Sequence, residues 1–233
     1  MTTAIAVDGI WKFYGDYAAL RDISLNIESG SCTALLGRNG AGKTTLLQII
    51  AGLSRAAKGR VAIYGDDVRT NATRHRLGVL GHSIGIYDEL SALENLRLFG
   101  RLYDLKDVDK AAMQWLERVG LERVASGLVR EFSRGMRQRL AVARAFIHDP
   151  QVLLLDEPFT ALDDRAIAVL QTVLRDALAS GKTVMMSTHQ LREALELATH
   201  VALINRGRMA FQGERTREML EDPGWLYRNY GEA

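Results

Sequence analysis

Apolar positions along the chain switch between two periods. Near the N-terminus they form short β-rich runs, Ala4 to Val7 and Ile23 to Ile27. Cys32 to Leu36 then enters a glycine-rich loop and continues as a helical pattern over Thr44 to Ala51. Gly59 to Tyr64 reads as a further strand, ending at the Gly65-Asp66-Asp67 turn. From about Ser91 to Ala145 the period becomes helical. Ser91 and Glu94 have the spacing of a capping box ahead of Leu93, Leu96 and Phe99. Asp109 is placed to cap a helix over Ala111 to Val119, and Ser133 precedes a basic amphipathic helix ending near Asp149-Pro150. The β pattern then returns. Val152 to Leu155 and Thr183 to Met186 are apolar runs of the kind found in buried parallel strands, with a helix over Arg165 to Ala179 between them. Val201 to Ile204 and Met209 to Gln212 flank Asn205-Arg206-Gly207-Arg208 as a hairpin. The pattern predicts one α/β domain over residues 1–233, a mixed β-sheet core flanked by helices, with an α-helical subdomain inserted over roughly 83–145.

Composition narrows the class. The 233 residues are 47% hydrophobic and 25% charged, enough for a real core. Thirty basic and 28 acidic residues leave a net charge of +2, too even a balance to attract nucleic acid or anionic lipid. The arginines at 134, 137, 139 and 144 therefore read as a solvated or interface helix face. The single cysteine, Cys32, has no internal partner and reads as a small buried residue. No apolar run approaches the ~18 residues of a membrane-spanning helix, and Met-Thr-Thr-Ala lacks the layout of a signal peptide. The expectation is a chain soluble on its own.

Two segments carry the chemistry. Gly37-Arg38-Asn39-Gly40-Ala41-Gly42-Lys43-Thr44 matches the P-loop pattern G-x-x-x-x-G-K-T/S between a strand and a helix. Small residues let the backbone curl so that successive N–H groups face phosphate oxygens, and the following helix adds its positive dipole end. Lys43 supplies a mobile charge for the β and γ phosphates. Thr44 supplies a hydroxyl for Mg²⁺, and Thr45 follows among the candidate ATP-binding residues. The second segment, Val152 to Glu157, is an apolar strand delivering two acids at its carboxyl end, where open parallel sheets bind ligands. Asp156 is placed to hold Mg²⁺, and Glu157 to polarise the water that attacks the γ-phosphate.

With these elements in order, the chain resembles the ABC ATPase family. Phe132-Ser133-Arg134-Gly135-Met136 stands where that family carries its signature loop, Thr160-Ala161-Leu162-Asp163 looks like its D-loop, and Thr188-His189 like its switch histidine. Tyr14, in Lys12-Phe13-Tyr14-Gly15, lies where an aromatic stacks on adenine. The resemblance implies the ABC ATPase fold, a P-loop NTPase core with a helical insert. It also implies a head-to-tail pair of copies with ATP held between the P-loop of one and the signature loop of the other. Ser133, Arg134, Gly135 and Asp163 would then meet ATP across the interface, and His189 would sense the γ-phosphate and orient Glu157. The implied partners are a second copy and separate transmembrane permease subunits, with the chain peripheral on the cytoplasmic face of the inner (plasma) membrane. Cargo would not bind it directly.

Two segments depart from the family pattern. Phe132, Arg134 and Met136 replace leucine, glycine and glutamine of the usual Leu-Ser-Gly-Gly-Gln; Arg134 either adds charge near the γ-phosphate or binds a partner. His82, after the strand Leu77 to Leu80, stands where most relatives have a glutamine that reaches towards Mg²⁺. Gly81-His82-Ser83-Ile84-Gly85-Ile86, with Ala92-Leu93-Glu94-Asn95-Leu96, is similar to the ATPase subunit of the haem exporter of cytochrome c maturation. The alternatives are an exporter with other cargo and a soluble ABC ATPase acting on DNA or the ribosome.

Overall fold

Strands β1 (Thr3–Tyr14) and β2 (Tyr17–Glu28) open the chain as a long antiparallel pair, and β3 (Cys32–Leu36) follows. The phosphate loop leads into α1 (Lys43–Ile50), then β4 (Lys58–Ile63), the two-residue β5 (Asp66–Asp67), the short α2 (Asn71–His75) and β6 (Leu77–Leu80). Three helices come next, α3 (Ala92–Leu102), α4 (Val108–Arg118) and α5 (Arg134–Phe146). Then follow β7 (Val152–Asp156), α6 (Asp164–Ala179), β8 (Thr183–Ser187), α7 (Leu191–Leu197), β9 (His200–Asn205) and β10 (Arg208–Glu214). Helices α8 (Arg217–Glu221) and α9 (Trp225–Tyr230) close the chain. The computed structural model describes residues 2–81 and 85–231.

Two sheets result. One is antiparallel, in the order β2-β1-β4-β5; the other runs β10-β9-β3-β8-β7-β6, parallel except for the edge strand β10. Every residue of β3, β7 and β8 is buried, which is why these strands read as unbroken apolar runs. Their alternate side chains serve two cores. Leu35, Leu154 and Met185 face α1 and the antiparallel sheet, while Ala34, Leu36, Leu153, Leu155, Val184 and Met186 face the helices α3 to α7. Parallel register places Leu35 beside Ser187 and Asp156 beside Ser187, so the carboxyl ends of β3, β8 and β7 form one row.

Local chemistry explains several of the helix starts. Ser91 and Glu94 form the full capping box at the start of α3, the Ser133 hydroxyl accepts from Met136 N–H at the start of α5, and Asp163 accepts from Ala166 N–H at the start of α6. Asp109 does not cap α4. The helix starts at Val108, three residues before the Ala111 that its apolar pattern implies, and Asp109 instead accepts from Arg97 Nε at 2.6 Å, tying α4 to α3. The β1 and β2 strands are longer than their apolar runs, because pairing with each other, and of β1 with β4, extends them into half-exposed residues. The β9–β10 hairpin turns on Arg206 and Gly207, both at positive φ (48° and 78°), as a two-residue primed turn requires.

Candidate functional site

The phosphate loop leaves β3 at Gly37 and enters α1 at Lys43. Its shape needs glycine at Gly42, whose φ is +110° and where a Cβ would lie 2.6 Å from Leu20 Cδ2 and 2.9 Å from the Ala19 carbonyl. The β2 strand thus presses on the loop from outside. Ala41 N–H donates to the Arg38 carbonyl, and Gly207 N–H to the Ala41 carbonyl, fixing the curl from within and from the β9–β10 turn. Lys43 is buried, and its ammonium folds back to donate to the Gly37 carbonyl at 2.8 Å and the Arg38 carbonyl at 3.4 Å. Burial lowers its pKa; the carboxylates of Glu157 and Asp156 act in the opposite direction. The loop therefore keeps a cation close to the two acids delivered by β7.

Asp156 ends β7, is buried, and accepts from the Ser187 hydroxyl. Glu157 follows in the left-handed region (φ 52°), with its N–H donating to the Ser187 carbonyl at 2.9 Å. That twist aims its carboxylate sideways at His189. Glu157 Oε2 lies 2.7 Å from His189 Nδ1 and accepts from the His189 N–H at 3.2 Å. Sequence reasoning named Glu157 and His189 but not Ser187, whose position as the last residue of an apolar strand was the available signal. Gln138 was also missed. It is buried on α5 and donates through Nε2 to the Pro158 carbonyl at 3.1 Å, tying the helical segment to the acidic turn. Nothing in the local pattern marks Gln138, because its role depends on which turn it meets.

The predicted residues do not all meet in one place. Asn39, Arg134, Asp156, Glu157, Thr160 and His189 border one cleft of about 370 Å³ together with Gly81 and Gln138. Arg134 thus shares a cleft with the acids of its own chain, and Gly135 sits against the Ala161 carbonyl. Ser133 and Asp163 are exposed, each already committed as a helix cap. Tyr14 ends β1 opposite Tyr17, is 53% exposed, and has the Lys12 ammonium 5.3 Å from its ring centre. His82, expected to serve the metal, lies outside the described residues.

The donor set suits a hard divalent cation. Thr44 and Asp156 border a common cleft of about 420 Å³, offering a hydroxyl and a buried carboxylate, the oxygen ligands Mg²⁺ takes. Among the described residues no group of three His, Cys, Asp or Glu is placed to hold a metal by protein ligands alone. Phosphate oxygens would have to complete such a site.

A P-loop, an acidic strand end and a histidine-bound glutamate in one row describe a nucleotide-hydrolysing site. The family description "ABC transporter" matches residues 20–160, from β2 to the acidic turn. The chain belongs to the ABC transporter family. It is an ATP-binding subunit of that family, and an ATPase. Among curated relatives, the Nod factor export ATP-binding protein I of Cupriavidus metallidurans is 38% identical over 92% of this chain and 72% of its own length. The daunorubicin resistance ATP-binding protein DrrA3 of Streptomyces coeruleorubidus is 40% identical over 95% and 72%. The ATP-binding protein NatA of Bacillus subtilis is 40% identical over 84% and 81%. Among solved structures, an ATP-binding subunit of an ABC transporter superposes with a TM-score of 0.85 at 28% identity, covering 98% of this chain and 93% of that one. A dimeric bacterial ABC transporter cassette in a post-hydrolysis state with ADP and Pi superposes at 0.82 and 26% identity, covering 91% and 99%. This ABC chain has no helix among its described residues long and apolar enough to cross a membrane.

Proposed function

We propose that this chain is the ATP-driven motor of an exporter, working as a head-to-tail pair of copies against separate membrane-spanning subunits. The observation that carries the reading is the contact of Glu157 with His189 beside Lys43 and Asp156. Residues 1–233 would form one cassette, with the helical insert between β6 and β7 carrying the signature segment. Gly37 to Thr45 cradle the triphosphate, and Lys43 exchanges its loop carbonyls for phosphate oxygens. Tyr14 stacks on adenine, its exposure leaving a ring face for the base. Glu157 accepts a proton from the attacking water, and His189 holds that carboxylate in place. Thr44 and Asp156, with His82 as the third candidate, would hold Mg²⁺, which would neutralise charge on the phosphates.

Ser133, Arg134, Gly135 and Asp163 of one copy would meet the ATP of the other. In support, the solved relatives include a dimeric cassette, and Ser133 and Asp163 are exposed. Closure on ATP and opening after hydrolysis would then move the membrane subunits. The chain would sit on the cytoplasmic face of the membrane, held there by those subunits.

The relatives named for Nod factor export and daunorubicin resistance favour an exporter of an organic cargo other than haem. The haem exporter stands as the second reading, favoured by the motifs over 81–86 and 92–96.

The test is a pull-down of tagged Glu157→Gln chain from detergent-solubilised native membranes with ATP. Co-purified multi-span proteins support the motor reading, and haem absorbance with a maturation apparatus among them supports the second cargo reading. A chain that stays monomeric with ATP and recovers no membrane protein would overturn the transport reading.

A further inference from the structure

The last helix of the chain reaches the first residue of the phosphate loop. Tyr227 Oη accepts from the Gly37 N–H at 3.0 Å, across 190 positions of sequence. The hydroxyl is held by a packed element. Leu226 is fully buried in the helix-side core, the Tyr230 ring lies 4.9 Å from Phe211, and Asn205 Nδ2 donates to the Gly231 carbonyl at 3.1 Å just beyond α9. Arg228 pairs with Asp222. A cleft of about 710 Å³ is bordered by Gly37, Arg38 and Asn39 of the phosphate loop together with His189, Leu191, Tyr227 and Arg228. Tyr227 therefore touches the phosphate loop and borders the same cleft as the Glu157-bound histidine.

Gly37 is the first residue of that loop and is held tightly. Its backbone is pressed so closely to β9 that a Cβ would meet the Ile204 carbonyl at 2.5 Å. The carbonyl of the same residue holds the Lys43 ammonium. Its peptide groups thus anchor both the loop entry, through Tyr227, and the loop cation. Burial raises the Tyr227 pKa, with the Gly37 hydrogen bond opposing and the Glu157 charge adding to the rise, so the phenol stays neutral at physiological pH. A neutral phenol accepts from Gly37 and keeps its own proton for a second bond.

We propose that Tyr227 is a positioning residue for ATP binding. It fixes the entry of the phosphate loop through Gly37, and so the direction in which the loop N–H groups and Lys43 meet the triphosphate. The proposal rests on the reading of Gly37 to Thr45 as the triphosphate cradle. The hydroxyl is argued to act through the loop and not on the reacting atoms. Its removal should therefore weaken binding more than it slows the chemical step.

The test uses the full chain with Tyr227→Phe, which keeps the ring packing, and Lys43→Ala beside it. ATP and ADP affinities, kcat, KM and Tm are measured for each. Tyr227→Phe is expected to raise KM for ATP and the Kd of both nucleotides about 3- to 10-fold, the range for one lost hydrogen bond, with kcat changed less than about twofold. A lowered Tm with KM unmoved would show a purely structural contact and overturn the proposal. Lys43→Ala separates the two levels. If it binds ATP as well as the parent, the cradle reading itself fails. If it loses ATP while Tyr227→Phe matches the parent, the cradle reading stands and the Tyr227 proposal alone falls.

Discussion

Replacing Glu157 by glutamine changes the charge at one position while nearly preserving its shape. The left-handed turn at Glu157 and the bond from its N–H to the Ser187 carbonyl depend on the main chain, so both survive. The glutamine carbonyl can still accept from the His189 N–H. If Glu157 faces the attacking water as proposed, what disappears is the basicity of that group. A positioned general base contributes about 10²–10⁴ in rate, or about 3–5 kcal/mol of barrier. Glu157→Gln should therefore lower kcat by that factor and leave ATP affinity within a few-fold, because Lys43 and the loop N–H groups remain. His189→Ala removes the partner 2.7 Å from Oε2 and frees the carboxylate to swing. Loss of orientation of that order costs about 10²-fold. The informative measurement is the double mutant. If His189 acts only by orienting Glu157, it has nothing left to orient in Glu157→Gln, and the second substitution should add less than about threefold. Single-turnover ATP hydrolysis with matched Kd values reads all four corners of the cycle. A Glu157→Gln rate within tenfold of the parent would refute Glu157 as the base. A full additional loss in the double mutant would refute the orienting role and place His189 on the phosphate directly. Stability should hardly move, because the His189 side chain is 59% exposed and such pairs contribute about 0–1 kcal/mol.

The helical segment and the parallel sheet make further predictions. At Gly78 on β6, a Cβ would meet the Ala145 carbonyl of α5 at 2.3 Å and Pro150 Cγ at 2.7 Å, so Gly78→Ala should destabilise the chain by about 1–3 kcal/mol. Thermal melts should show a fall of several degrees, and an unchanged Tm would mean that α5 can shift freely. His148 stacks flat on Tyr103 at 3.7 Å, bonds to the Leu77 carbonyl, and has its pKa pushed down to about 4 by burial. The unfolded chain takes up that proton near pH 6.5 and the folded chain only near pH 4. Stability should thus fall as pH drops through this window, by at most about 3 kcal/mol. His148→Phe should flatten the pH 7 to pH 5 change in Tm; an identical slope would clear His148 of the effect. Chelation of divalent cations should abolish hydrolysis while ATP still binds, as measured by equilibrium dialysis, if Thr44 and Asp156 hold the ion as proposed.

Much of this molecule was legible from local rules. The phosphate loop declares itself because its glycines and lysine are contiguous and each has a backbone reason. The strands β3, β7 and β8 read correctly because burial on both faces leaves an unbroken apolar run. The Ser91–Glu94 box and the Ser133 cap held because capping involves only four neighbouring residues. Asp109 failed as a cap because a distant arginine, Arg97, offered its carboxylate a stronger partner than the helix end did.

Tertiary structure decided what depends on register and on long closures. Which acids stand beside Lys43 follows from the parallel pairing of β3, β8 and β7, which only the assembled sheet sets. Gln138 meets Pro158, and Tyr227 meets Gly37, across 20 and 190 positions of chain. No periodicity or motif encodes such contacts, because their free energy comes from packing that exists only once the cores have closed. The sequence by itself determined the chemistry available to this ATPase; the fold determined which of those groups touch.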